Sequence, residues 1–188
     1  MELIKFDNYE QYKNTQEAAN HKKLDRVWVS DDEVDAISAY FLSNVQEATF
    51  GICHGVRNGW EVRAFKKKLA MHIIGTEISD TASAFKDVIQ WDFHKAKPEW
   101  VGKVDFVYSN SWDHSYDPQE CLKTWLSLLT EEGMCFIQWT KHHNKTGAGG
   151  ADCFAGTKEE YIDIIEASGT LVDTLEIGDI SIFVIRAN

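Results

Sequence analysis

Apolar positions along the chain follow two rhythms. In "SDDEVDAISAYFLSN", Val34, Ile37, Ala39, Tyr40 and Phe41 recur on a helical period behind a capping box, with Ser30 as the N-cap and Glu33 reaching back. That segment is predicted to be a helix. From Ala48 onward the rhythm changes to short, nearly continuous apolar runs: "ATFGIC" (48–53), "MHIIGTE" (71–77), "DVIQWD" (87–92), "VDFVYSN" (104–110) and "MCFIQWT" (134–140). Helical patterns separate several of them, in "WEVRAFKKKL", from Pro118 to Leu129, and from about Lys158 to Ala167. Short apolar strands alternating with helices predict a parallel sheet covered on both faces, an α/β sandwich of three layers.

The C-terminus departs from this alternation. "LVDTLEI" and "ISIFVIR" are separated only by Gly178 and Asp179, which permits a tight hairpin and excludes a helical crossover. The last two strands are therefore expected to be antiparallel neighbours, an ending that counts against a nicotinamide-dependent dehydrogenase. About 30 residues at the start are polar, mixed in charge and without a clear period, so they predict either a helix or an ordered arm. There are no internal repeats, and with two prolines there is no Pro-rich linker.

Composition narrows the class further. A chain of 188 residues, 44% hydrophobic, buries one sizeable core, so one domain spanning residues 1–188 is expected. A net charge of -11 disfavours binding to a phosphate backbone or an anionic membrane. Lys66, Lys67 and Lys68 are expected to form a solvated helix face. The four cysteines form no C-x-x-C pair and read as reduced, buried thiols. "MELIKFDNYEQYK" has no apolar stretch of signal-peptide length, and no window approaches a membrane span, so a cytoplasmic location is expected.

In an open parallel sheet, ligands bind beyond the carboxyl ends of the strands, where the strand order reverses. Those ends carry, in order, "HGVRNG", Glu77, Asp92, "SNSWDH" and "KHHNKTGAGG". Glu77 lies 22 residues past Gly55, about the interval expected of an acid that accepts hydrogen bonds from a ribose diol. Two acids at consecutive strand ends suit a ligand rich in hydroxyl and amino donors; the structural alternative is a pair of helix caps or solvated loop acids.

The order "GICHGVRNG", "IIGTEIS", "IQWDFH", "DFVYSNSWDH" and then a terminal hairpin resembles the class I, Rossmann-like S-adenosylmethionine-dependent methyltransferases. The resemblance covers roughly Ala48 to the C-terminus, and residues 1–46 resemble the N-terminal helices that cover the site in that family, ahead of a Rossmann-like core at 47–188. It implies a seven-stranded, mostly parallel sheet with an antiparallel C-terminal strand, and S-adenosylmethionine as cofactor. It further implies that Gly55 and Gly59 admit the methionine portion, that Glu77 binds the ribose, and that Ile78 packs on adenine. Asp92 would accept from the adenine amino group and Phe93 would offer its amide. Ser109 and Asn110 would face the methionine end and the substrate. Cys53 and His54 stand where the family usually has an acid, and G-x-x-x-G replaces G-x-G, so Arg57 or Asn58 is expected to meet the cofactor's carboxylate.

Methyl transfer asks mainly for alignment and exclusion of water, with a general base for a hydroxyl or ammonium acceptor. His114, His142 and His143 are the candidates for that base. Asp113, Asp152 and Cys153 lie beside them in sequence, yet no helical H-x-x-x-H or paired C-x-x-C sets a geometry, and no metal is expected. Trp112, Tyr116 and Trp139 are expected to line an aromatic acceptor pocket, and "HHNKTGAGGADCFAG" to form a mobile wall. "SNSW" in place of an N-P-P-Y type motif argues against methylation of nucleic-acid amino groups. The expectation is O-methylation of a small molecule, the alternatives being a non-catalytic S-adenosylmethionine-binding module and an NAD-dependent oxidoreductase.

Overall fold

A computed structural model describes residues 1–144 and 151–188. The chain runs β1 (Glu2–Leu3), α1 (Tyr9–Lys22), α2 (Asp31–Asn44), β2 (Phe50–His54), α3 (Trp60–Leu69), β3 (His72–Glu77), β4 (Val88–Gln90), β5 (Val104–Ser109), α4 (Pro118–Leu128), β6 (Leu129–Thr140), β7 (Phe154–Ala155), α5 (Lys158–Glu166), β8 (Thr170–Ile177) and β9 (Ile180–Arg186). Seven strands form one sheet in the order β4-β3-β2-β5-β6-β9-β8. Pairing is parallel from β4 through β6, and antiparallel on both sides of β9. Only β9 therefore runs against the rest, as the two-residue link between Ile177 and Ile180 requires.

Side chains of the central strands alternate between two buried layers, which is why their sequences read as continuous apolar runs. Cys53, Phe106, Tyr108 and Phe136 pack with Val34, Ile37 and Phe41 of α2 and Val62 and Phe65 of α3. Their neighbours Ile52, Val107, Cys135 and Ile137 pack on the other face with Leu122 and Trp125 of α4 and Ile165 of α5. β6 starts earlier than its apolar run, because Leu129 already pairs with Val104, and "TEEG" is taken up in an irregularity before pairing resumes between Phe106 and Met134. Gly133 permits that approach: a Cβ there would lie 2.8 Å from the Val104 carbonyl oxygen. Among the described residues, no helix is long and apolar enough to cross a membrane.

Residues 1–46 divide into two roles. α2, with its capping box from Ser30 and Glu33, belongs to a core layer. α1 lies across the carboxyl ends of the strands, capped by Asn8, and buries Tyr12, Gln16 and Asn20. A stripe of one tyrosine and two amides has no apolar period, so the sequence alone left this helix undecided. β1 pairs antiparallel with β7, setting Leu3 opposite Phe154 and holding the start of the chain beside the segment that follows β6.

Candidate cofactor and acceptor site

The site is assembled where the strand order reverses, between β2 and β5. After His54 the backbone enters a left-handed turn at Gly55 (φ 70°), where a Cβ would lie 2.8 Å from Ser111 Cβ. Arg57 is also left-handed (φ 46°), a cost accepted by a residue whose amide donates to Glu77 Oε2 at 2.9 Å. Ser79 donates its amide to Glu77 Oε1 at 3.1 Å. Burial pushes the Glu77 carboxyl above the ordinary range, against the pull of these two amides. Each oxygen retains a lone pair, and Glu77 lines an inner cavity with Gly55, Arg57, Ile78, Phe93 and Ser111.

The sequence candidates divide between the cavity wall and its supports. Asn58 donates to the Leu24 carbonyl at 2.9 Å and accepts from the Trp60 amide at 3.1 Å, so it ties the α1–α2 link to the start of α3. The Arg57 guanidinium reaches the Arg26 carbonyl at 3.3 Å while still lining the cavity. A Cβ on Gly59 would lie 2.7 Å from Val88 Cγ2, so this glycine serves the packing of α3 on β4. Asp92 is buried and does not line the cavity. It accepts from Tyr9 Oη at 2.9 Å and from the His94 amide at 3.0 Å, with His94 Nδ1 at 2.8 Å. Burial would raise its carboxyl, but the His94 contacts win and hold it below the ordinary range. Ser109 donates to the His54 carbonyl at 3.1 Å and accepts from the Ser111 amide at 3.0 Å, bracing the loop from beneath.

His54, standing where an acid was expected, is a buried neutral group. Its Nδ1 meets Thr76 Oγ1 at 2.8 Å, its ring stacks on Trp125 at 4.8 Å, and burial lowers its pKa to about 3.

A second, outer cavity opens beside the first and shares Lys23, Arg57, Ser111 and His114 with it. It is the larger, with room for about 660 Å³ against about 50 Å³ inside. Asn110, His142 and His143 face it, as do Asp113 and Asp152. His143 Nδ1 accepts from the Thr140 amide at 3.2 Å, which leaves its hydrogen on Nε2 facing Asp113. The aromatic wall expected from Trp112, Tyr116 and Trp139 is replaced. Trp112 is buried against Phe154 and Tyr161, Tyr116 stacks on His94, and Trp139 bonds the Gly156 carbonyl. Trp28, exposed on the α1–α2 link, lines the outer cavity instead. Of the expected mobile wall, residues 145–150 lie outside the described residues.

The sequence reading missed Tyr12, Gln16 and Asn20 of α1, Trp91, and Ser111. A signal for Ser111 was present in "SNS" at the end of a strand; for the α1 residues only the spacing of four was visible.

No protein-family model and no curated protein sequence matches the chain. Solved structures do. The 1,6-didemethyltoxoflavin-N1-methyltransferase of Burkholderia thailandensis, bound to 1,6-didemethyltoxoflavin and S-adenosylhomocysteine, superposes with a TM-score of 0.76 over 98% of this chain and 92% of its own, at 11% identity. The geranyl diphosphate C-methyltransferase of Streptomyces coelicolor, bound to Mg2+, geranyl diphosphate and S-adenosyl-L-homocysteine, gives 0.64 over 91% and 97%, at 9% identity. A TehB-like S-adenosylmethionine-dependent methyltransferase of Corynebacterium glutamicum gives 0.62 over 96% and 100%, at 11% identity. The chain thus has the fold of the class I S-adenosylmethionine-dependent methyltransferases.

Proposed function

We propose that the protein transfers a methyl group from S-adenosylmethionine to a small-molecule acceptor, with oxygen as the accepting atom. The observation that carries this reading is Glu77: a buried carboxylate at a strand end, fixed by two backbone amides and turned to the cavity at the switch point of a methyltransferase fold. The residues present suit the cofactor's parts. Glu77 can accept from a ribose diol, Ile78 and Phe93 offer apolar walls for adenine, and the Arg57 guanidinium suits a carboxylate. Gly55 keeps open a space that a side chain would fill.

Room for about 50 Å³ is far below the roughly 300 Å³ or more that a site for a ligand of this size requires, so loading calls for the wall to move, and α1, which covers the strand ends, is the part we assign that movement. Asp92 fits the same picture, because its Oδ2 passes from Tyr9 to the adenine amino group when α1 lifts.

When bound, the cofactor supplies an activated methyl on a positively charged sulfur; the chain supplies alignment and dryness. The acceptor enters by the outer cavity, where Trp28 offers an aromatic face and Asn110 and Ser111 offer hydrogen bonds. His114 is the histidine common to both cavities. Its Nε2 faces the acceptor side and is the group best placed to handle the acceptor's proton. His143 is less suited, since its Nδ1 is taken by the Thr140 amide.

Calorimetry with S-adenosylhomocysteine and with NAD tests the reading. Heat with the first and none with the second is expected; the absence of heat with S-adenosylhomocysteine refutes it. Binding without turnover across a panel of hydroxylated acceptors would favour a non-catalytic module.

A further inference from the structure

We propose that Asp113, His114 and Asp152 form a site for a divalent cation at the wall of the outer cavity. One ligand atom from each lies within 4.8 Å of the others. Three separate features turn this cluster from a set of like charges into a coordination site.

The first is a deficit. Asp113 is only 7% exposed, and among the described residues its Oδ1 has no hydrogen-bond partner. A buried carboxylate oxygen without a donor is costly, and a cation is the ligand that satisfies it.

The second is the tautomer of His114. Gln16 Nε2 donates to the Ala151 carbonyl at 2.8 Å and to Cys153 Sγ at 3.2 Å, which fixes the orientation of that amide. Its Oε1 then faces His114 Nδ1 at 2.9 Å, and the ring nitrogen must donate. The hydrogen sits on Nδ1, and Nε2 presents a lone pair toward Asp152 Oδ1 at 3.7 Å, too far for a hydrogen bond. Donation from the distal ring nitrogen to a fixed acceptor is the arrangement that holds a metal-ligating imidazole.

The third is the framework. The Cys153 amide donates to the Asp113 carbonyl at 2.6 Å, so Asp152 is brought beside Asp113 by the backbone. His143 Nε2 lies 4.0 Å from Asp113 Oδ2, which leaves Oδ1 as the oxygen free to coordinate. Two carboxylates balance the charge of a dication, and two oxygens with one imidazole suit ions such as Mn2+, Fe2+ or Zn2+. The sequence offered no spacing motif for this, because Asp152 joins the other two only in the fold. If the transferase reading holds, a cation there would bind an acceptor's oxygen and lower its pKa, and His114, its one free lone pair then held by the metal, would act as a ligand in place of the proton-handling role given to it above.

Titration of the full-length, EDTA-treated protein with Mn2+, followed by electron paramagnetic resonance, tests the site. One tightly held Mn2+ per chain is expected, with a nitrogen coupling that disappears in His114→Gln. Asp113→Asn and Asp152→Asn should each weaken binding about tenfold or more, and Gln16→Leu about 10- to 100-fold. Asp152 is about one-third exposed, so its variant tests the site even where Asp113→Asn fails to fold. Asp35→Asn, which removes a surface partner of Lys68, should leave binding unchanged. No stoichiometric Mn2+ in the wild type, or equal affinity in Asp152→Asn, overturns the proposal. S-adenosylhomocysteine calorimetry on the same samples keeps the two readings apart: heat without Mn2+ binding removes only the cation site, and Mn2+ binding without heat removes only the transferase.

Discussion

Glu61 and His54 flank the glycine turn and pull the pH dependence of stability in opposite directions. Glu61, in the first turn of α3, is buried, has no partner for Oε2 among the described residues, and is raised by burial from 4.5 to about 7. The helix N-terminus and the charge of Arg57 favour its ionised form, yet burial outweighs both. Its contribution to stability is complete below pH 4.5, where folded and unfolded chains are both protonated, and is lost as pH rises toward 7. His54 behaves in the opposite sense. Lowered by burial from 6.5 to about 3, it contributes fully above pH 6.5, and that contribution is lost as pH falls toward 3.

Each slope is about 1.36 kcal/mol per pH unit, so the two cancel between pH 4.5 and 6.5 in the wild type. Glu61→Gln removes one slope and exposes the other. The stability of the variant relative to wild type should rise from its value at pH 4.5 by about 3 kcal/mol as pH reaches 7, and stay level above that. Taking the difference between the two proteins removes every other carboxylate from the comparison, and any fixed effect of the amide appears only as an offset. Urea unfolding followed by tryptophan fluorescence measures it directly. His54→Asn, which keeps a polar atom near Thr76 Oγ1, should give the mirror image, gaining on wild type as pH drops below 6.5. A difference curve for Glu61→Gln that is flat with pH would show that the carboxyl is ionised in the folded state, and would refute the reasoning.

Three further outcomes concern the candidate site. Glu77→Gln leaves either the Arg57 or the Ser79 amide facing an NH2 group and removes a ribose acceptor; S-adenosylhomocysteine binding should weaken by about 1–3 kcal/mol in calorimetry, and a wild-type Kd would remove Glu77 from the site. Gly55→Ala puts a Cβ 2.8 Å from Ser111 Cβ at a positive φ, so the thermal midpoint should fall by several degrees, corresponding to about 1–3 kcal/mol. Tyr9→Phe frees Asp92 Oδ2 and one tether of α1: amide exchange in α1 should accelerate and S-adenosylhomocysteine should bind up to about tenfold more tightly, whereas unchanged exchange would mean that the tether does not hold the helix.

What could be read in advance, and what could not, divides by the range of the interaction responsible. The sheet was legible because its strands are buried on both faces and the alternation of Phe106, Val107 and Tyr108 between layers leaves no polar position to blur the run. The reversed last strand was legible because two residues between Ile177 and Ile180 allow only one connection. Glu77 could be singled out by its interval from Gly55. The duties of Arg57 and Asn58 were not legible, since their partners are carbonyls of Leu24 and Arg26, more than 30 residues upstream, on a link with no pattern of its own. α1 stayed ambiguous for a related reason. Its buried face is Tyr12, Gln16 and Asn20, matched by hydrogen bonds to Ala151, His114 and Thr81, and a period of hydrogen-bonding amides looks like a solvated surface until its partners are in place.

That difference in kind bears on how the site would work. A helix held over the strand ends by apolar packing would open only at the cost of exposing that area to water, at about 25 cal/mol per Å². α1 instead closes the cavity largely through polar contacts: Tyr9 to Asp92, Gln16 to Ala151 and His114, Asn20 to Thr81, and His21 to Asp80. Each is worth about 1 kcal/mol net, because water or a ligand can replace the partner. A cofactor offering an adenine amino group to Asp92 compensates one of these contacts directly. The polar face that hid α1 in the sequence is thus the feature that would let it lift, and the buried Tyr12 ring, packed edge-on against His94 and Tyr116, is the apolar contact that would favour the closed position.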